Sequence, residues 1–321
     1  MLVCKICGNS TDNKLHVARE LMFGLRDEFE YIECAKCGCV QIKEIPDNLA
    51  RYYPPSYYSF QQPGSKPNLV KRFLKPQRAR YGLGQWNPLG WLGACKYGLP
   101  NYYAWFRKVG MRFESHILDV GSGTGFLITK LREEGFRHLT GIDPFIERDC
   151  VYEDDVRILK MKLQDVEQQF DLVMLNHSFE HMAEPALVLQ HVSRVLKPGH
   201  FAAIRTPICS SFAWRHYGVN WVGLDAPRHL FLQTLESMEI LAKDTGFVID
   251  DVIYESDAFQ FWASEQYQRD ISLYNDERSL LVNPGQSKFT SEDLRRFDNQ
   301  AAELNRRGEG DQVCFLLYKP D

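Results

Sequence analysis

Leu118-Asp-Val-Gly-Ser-Gly-Thr-Gly125 decides the fold: LDVGSGTG follows the short apolar run HIL and leads into the helical pattern FLITKLREE. Glycines at every second position let a ligand approach the backbone closely at a strand-to-helix turn, where unpaired amides gather. A dinucleotide turn counted from Gly121 would need glycine at position 126, which is Phe126. Asp119 argues the same way, because its carboxylate would face any phosphate in the loop. It suits instead a cation bearing sulfonium and ammonium groups. Twenty-four residues on, Asp143 in GIDP ends the next apolar run, where a carboxylate can accept both hydroxyls of a ribose.

Outward from this turn, strands alternate with helices as in a parallel α/β sheet. HILDV is followed by a helix from Phe126 to Glu134, then LTGID, VRILKM and DLVMLN, a helix from Pro185 to Leu196, and FAAIRTP. After an insertion over 208–233 the pattern resumes with a helix from Leu235 to Thr245, FVIDDVIYE and finally QVCFLLYK. Residues 258–308 read as two inserted helices forming a lid or a dimer face.

The chain has 321 residues, 44% of them apolar and 25% charged, as expected of about two ordinary globular domains. No run is long and apolar enough for a membrane span, and MLVCKICGNS lacks the order of a signal peptide, so a cytoplasmic address is expected. The net charge of −4 is unevenly spread: from Asn48 to Phe113 there are eleven Lys and Arg and no acid. Such a stretch either meets an anionic partner or is balanced by acids brought near in the fold. Its YYPPSYYSF, QQPGSKPNLV and NPLGWLG read as turns and linker, leaving only LVKRFLKPQRARY and NYYAWFRKVG as helices.

Cys4-Lys-Ile-Cys7-Gly8 and Cys34-Ala-Lys-Cys37-Gly38 repeat one device across a 26-residue spacer. Four thiolates from two tight turns can complete a tetrahedral zinc shell, and a closed four-ligand set argues for structure rather than catalysis. Cys39 could replace Cys37 but lacks the symmetric spacing. The expected organisation is a zinc ribbon over 1–45, a basic aromatic connecting arm over 46–110 and an α/β domain over 111–321.

LDVGSGTG, GID, LQD, FDLVMLNHSFEHMAEP and LKPGHFAAIRTP together resemble the motifs of class I S-adenosylmethionine-dependent methyltransferases. The resemblance implies a doubly wound, mostly parallel, seven-stranded Rossmann-like sheet whose last strand, QVCFLLYK, enters antiparallel. It also implies that Asp119, Gly121, Ser122, Gly123, Gly125 and Asp143 bind the methionine and ribose of the cofactor. Gln164 or Asp165 would meet the adenine, and Asn176 would lie near the sulfonium. With the cysteine-rich head, the chain is similar to bacterial methyltransferases of surface-polysaccharide and deoxysugar pathways. The NHSFEH loop partly resembles that of ubiquinone-pathway O-methyltransferases, which can bind a divalent ion.

His177, Glu180 and His181 follow the fourth strand, at the carboxyl edge where open α/β sheets bind ligands. They can serve as base and orienter, hold a divalent ion, or merely pack the loop. In the first insertion, Trp214, Tyr217 and Trp221 can stack on a sugar ring, Arg215, Asp225 and Arg228 can contact an anionic acceptor, and His229 can act as general base. The expected activity is methyl transfer to a nucleotide- or lipid-diphosphate-linked sugar, with membrane-surface contact open. The rivals are an RNA methyltransferase and a cofactor-binding zinc interaction protein without turnover.

Overall fold

In the computed structural model, which describes residues 2–54, 69–152 and 156–321, the two cysteine turns sit on three antiparallel strands. These are β1 (Lys14–Arg19), β2 (Glu28–Glu33) and β3 (Val40–Ile42). Three helices follow, α1 (Leu69–Gly82), α2 (Pro88–Tyr97) and α3 (Tyr102–Lys108). The alternating region then gives β4 (His116–Val120), α4 (Phe126–Glu134), β5 (His138–Ile142), β6 (Cys150–Val151), β7 (Val156–Leu159) and β8 (Phe170–Asn176). It continues through α5 (Pro185–Val195), β9 (Leu196–Pro207), α6 (Phe212–Tyr217), β10 (Phe231–Leu232), α7 (Leu235–Asp244) and β11 (Val248–Tyr254). The last elements are α8 (Phe259–Gln268), α9 (Ser291–Arg307) and β12 (Gln312–Tyr318).

The large sheet runs β11-β12-β9-β8-β4-β5-β7-β6. Seven strands form its body, β12 is antiparallel to both neighbours as expected, and the two-residue β6 adds an antiparallel edge. Strand order reverses beside β4, because β5 and β7 lie to one side of it and β8 to the other. Such a switch point opens a crevice at the carboxyl ends of the strands. The pleat sends Leu118 and Val120 of β4 to one face, packed with Leu189 and Val192 of α5 and Met238 and Leu241 of α7. Ile117 goes to the other, with Ile128 and Leu131 of α4.

The stretch expected to be a connecting arm is in large part built into that second face. Ala79 of α1 and Tyr103 and Phe106 of α3 share its core, and buried Glu134 of α4 accepts the hydroxyls of Tyr102 (2.6 Å) and Tyr103 (2.7 Å). NPLGWLG, read as linker, forms α2: the Asn87 side chain accepts the Gly90 amide, and Pro88 takes the first turn, where it lacks no needed amide. The turns read in residues 55–68 lie outside the described residues.

The cysteine module does not fold apart either. β10, from the first insertion, pairs antiparallel with β3, so a segment almost two hundred residues downstream completes a four-stranded sheet. Tyr31, Val40 and Ile42 of the module share one core with Trp221 and Phe231 of the insertion and Phe261 and Phe297 of α8 and α9.

At the centre of this third core Arg228 is fully buried. Its guanidinium donates to Asp225 (2.6 to 3.1 Å), to Glu20 of the module (2.9 Å) and to the Tyr52 carbonyl (3.1 Å). Glu20, also fully buried, takes the amides of Phe23 and Leu25, both at 2.9 Å. Arg228→Met leaves two carboxylates buried without their cation. It should therefore lower stability by about 3–5 kcal/mol in chemical denaturation, and an unchanged midpoint would show that the knot is not stabilising.

Candidate functional site

The loops after β4 and β5 face each other because the strands are neighbours in parallel register. The Ile142 carbonyl accepts the amides of Gly121 (2.8 Å) and Ser122 (3.1 Å), while the Asp143 carboxylate accepts those of Gly123 (3.0 Å) and Phe145 (2.8 Å). Gly121 and Gly125 have φ of +75° and +82°. A Cβ at 121 would lie 2.5 Å from Ser178 Cβ, and one at 125 would lie 1.9 Å from Ile158 Cδ1. The glycines are thus demanded by the crowding of strand ends as well as by backbone conformation.

Asp119 is buried at the end of β4. Burial, and next the charge of Asp143, pushes its carboxyl up to about 8, so it is mostly protonated at neutral pH until a cation arrives. Gln164 and Asp165 stand exposed on a short 3-10 turn after β7, pinned by Arg194 to the carbonyls of Leu163 (3.1 Å) and Gln164 (3.0 Å). Asn176 ends β8 with its side-chain oxygen 3.4 Å from Arg205. Sequence reasoning missed Phe145, 80% exposed two residues after Asp143; its signal was a large apolar residue directly after GIDP. Positive-φ glycines, carboxylates on adjacent strand ends and an exposed ring beside one of them match the ammonium, ribose and adenine of S-adenosylmethionine.

The loop after β8 touches this cradle on one side and a cavity of about 620 Å³ on the other. Ser178 donates to the Val120 carbonyl at 2.6 Å, while His177 and Glu180 line the cavity. Glu180 is fully buried and accepts the Thr206 hydroxyl at 3.0 Å. Its other oxygen lies 3.5 Å from His177 Nδ1 and 3.9 Å from His229 Nε2. Burial alone would push this carboxyl up, but contact with His177 and the charges of the surrounding imidazoles outweigh it and hold the group down to about 2.

His229 Nδ1 lies 2.7 Å from the Gly223 carbonyl, which can only accept. Nδ1 therefore donates a proton there, and Nε2 faces the Glu180 carboxylate. His181 Nδ1 is fixed likewise by the Arg228 carbonyl (2.9 Å) and meets the Tyr53 hydroxyl (3.2 Å). Burial, then repulsion from His229, lowers its imidazole to about 4. The expected metal trio of His177, Glu180 and His181 is corrected in one member: Glu180, His181 and His229 bring ligand atoms within 4.8 Å of one another.

The expected acceptor contacts are largely overturned. Tyr217 and Trp221 are buried, and Trp221 donates to Asp311 at 2.9 Å, so neither ring is free to stack. Arg215 pairs with Glu309, and Arg228 is consumed by Asp225 and Glu20. Asp225 does line the cavity, held ionised because Arg228 outweighs the upward push of burial. The cavity walls come instead from Val222, Phe259, Trp262, Tyr267, Leu273 and Tyr274, with Met22 from the cysteine module. They carry the acids Glu180, Asp225, Asp257 and Asp298 and no Lys or Arg, which corrects the expectation of an anionic group here. The basic stretch is partly neutralised by the fold: Arg51 pairs with Asp27, Lys75 with Glu133, Arg78 with Glu134 and Lys108 with Asp251.

The thiols of Cys4, Cys7, Cys34 and Cys37 lie within 4.8 Å of one another, with Cys4–Cys37 at 3.7 Å and Cys7–Cys34 at 3.5 Å. A tetrahedron with Zn–S bonds of ~2.3 Å has edges of about 3.8 Å, so the set fits zinc. The Lys36 and Cys37 amides point at Cys34 Sγ from 3.4 and 3.5 Å, as a thiolate needs. Cys39 is buried outside the cluster.

A methyltransferase domain family matches residues 71–252. A ubiquinone biosynthesis O-methyltransferase of Aeromonas salmonicida is 31% identical over 110 residues, covering 31% of this chain and 46% of that protein. Its counterpart from Serratia proteamaculans is 28% identical over 119 residues, covering 34% and 49%. The chain spans about half the length of the curated relatives it matches. Among solved structures, the cyclopropane synthase MmaA2 of Mycobacterium tuberculosis matches with a TM-score of 0.41 at 15% identity, covering 75% of this chain and 83% of that one. A phosphoethanolamine N-methyltransferase of Haemonchus contortus gives 0.40 at 18%, covering 80% and 62%. Since the matched domain takes in more than half of the sequence, the chain belongs to the methyltransferase domain family, with the class I, S-adenosylmethionine-dependent fold.

Proposed function

We propose that the chain transfers the methyl group of S-adenosylmethionine to a hydroxyl of a neutral, sugar-type acceptor, with His229 as general base. The observation that carries this reading is His229, whose Nδ1 is held by the Gly223 carbonyl and whose ring lines a cavity walled by aromatics and carboxylates. When bound, the cofactor supplies an electrophilic methyl on a sulfonium sulfur. The glycine loop and Asp143 hold its ribose and methionine, Asp119 meets its ammonium, and Gln164 or Asp165 reaches the adenine edge. Trp262 and Phe259 stack on the acceptor ring. With the cofactor bound, His229 would take the acceptor's hydroxyl proton as its oxygen receives the methyl. Ionised Glu180, 3.9 Å away, stabilises the imidazolium. His181, held neutral, orients the loop through the Arg228 carbonyl. Any diphosphate handle of the acceptor lies outside the cavity, since a phosphate inside would meet only like charge.

His229→Gln should lower kcat for labelled methyl transfer into host sugar-nucleotide or lipid-linked glycan fractions by roughly a hundredfold or more, with cofactor affinity retained. Undiminished turnover would remove His229 as the base, and label in RNA instead of glycans would overturn the acceptor class.

The ammonium favours ionised Asp119, so binding lowers a carboxyl pKa that begins at about 8. Cofactor affinity should therefore rise with pH up to about 8 and level off above it, by at most about tenfold per unit. Calorimetry near pH 7 in buffers of different ionisation heat should detect proton release, and Asp119→Asn should abolish it. Equal heats in all buffers would contradict an ammonium contact.

The four thiols are proposed to hold a structural zinc within the head module. Cys34→Ser should lose one equivalent of metal and lower the melting temperature; full metal content with unaltered melting would exclude four-cysteine ligation.

A further inference from the structure

α2 buries its small residues and exposes its large ones. Gly90 packs against α1 so closely that a Cβ there would meet the Gln77 carbonyl at 2.2 Å, and Gly93 and Ala94 are half-buried. Leu89 is 46% exposed, Leu92 55% and Tyr97 68%, with Trp86, just before the helix, 70% exposed. A helix facing water has the opposite arrangement. Trp86 packs on Trp91 with centroids 6.4 Å apart, so the apolar surface is continuous at this end. Phe73 of α1, the helix against which α2 packs, is a further exposed ring, at 60%.

The α1–α2 segment itself carries charge of one sign. Residues 72–99 contain five Lys and Arg and no acid. Lys75 and Arg78 are taken by Glu133 and Glu134, whereas Arg72, Arg80 and Lys96 are exposed. Lys96 sits over the Tyr97 ring at 5.3 Å, a cation at the margin of an aromatic surface.

We propose that the α1–α2 hairpin is a docking surface for an anionic lipid bilayer, with Trp86, Leu89, Trp91 and Leu92 entering the boundary between headgroups and acyl chains. Convex, protruding leucine and tryptophan side chains flanked by cations suit that boundary. A second copy of the chain would bring the same cations face to face in a two-fold contact. A nucleic acid would leave Leu89 and Leu92 unused. Among the described residues no helix is long and apolar enough to cross a membrane, so the contact is peripheral. The proposal stands apart from the acceptor assignment, because it uses none of the site's residues.

The test is flotation of the full chain with vesicles of phosphatidylcholine containing phosphatidylglycerol, beside vesicles of phosphatidylcholine alone. The expected result is binding to the anionic vesicles that weakens as salt rises, with a blue shift of tryptophan emission. Leu92→Glu should cut the bound fraction about tenfold or more, with melting temperature and methyl transfer unchanged because the position is exposed. Failure of the wild-type chain to float with anionic vesicles, or equal flotation of wild type and variant, would overturn the proposal. Self-association that Leu92→Glu abolishes, without vesicle binding, would assign the face to a second copy and overturn it too.

Discussion

The burial of one guanidinium organises the acceptor side of this molecule. Arg228 can leave water only because Asp225 and Glu20 meet it with charge and the Tyr52 carbonyl takes a further donor. Those partners come from the insertion, the cysteine module and the chain just beyond it, so satisfying one cation fixes three segments together. The next residue is His229, and the Arg228 carbonyl itself anchors His181. The same ion knot that ties the head to the sheet domain therefore sets the positions of both imidazoles beside Glu180.

A second constraint is electrostatic. Burial, and next the charge of Asp143, disfavours ionised Asp119, so its carboxyl stays mostly protonated at neutral pH. Glu180 has the opposite setting: equally buried, it is held ionised by the imidazoles around it. One sheet edge thus holds two buried carboxyl groups with opposite settings, one protonated and one ionised.

The sheet and the glycine turn at the end of β4 were legible in the sequence because both are written locally. Alternating short apolar runs, the glycines at every second position and Asp143 each speak through their neighbours, and Phe126–Glu134 is a helix at the bounds read from the pattern. The cysteine pairs were legible for the same reason. The acceptor side was not, because its determinants are distant in the chain. Nothing near Arg228 announces that Glu20, more than two hundred residues earlier, will bury it, so a cation that looked free for a substrate is spent on structure. The misreading of α2 has a different cause. Its glycines and proline look like breakers, and only the close approach of α1 to Gly90 turns them into a packing face.

The sharing of one small sheet between head and insertion has a consequence for inheritance. β10 pairs with β3 of the head, and Met22 of the head reaches the wall of the cavity that the insertion also lines. A recombination event that exchanged the first 45 residues alone would join an unmatched strand edge to an unmatched wall. Head and insertion therefore form one structural unit, and a change in either one is met by the other at both the shared sheet and the shared wall.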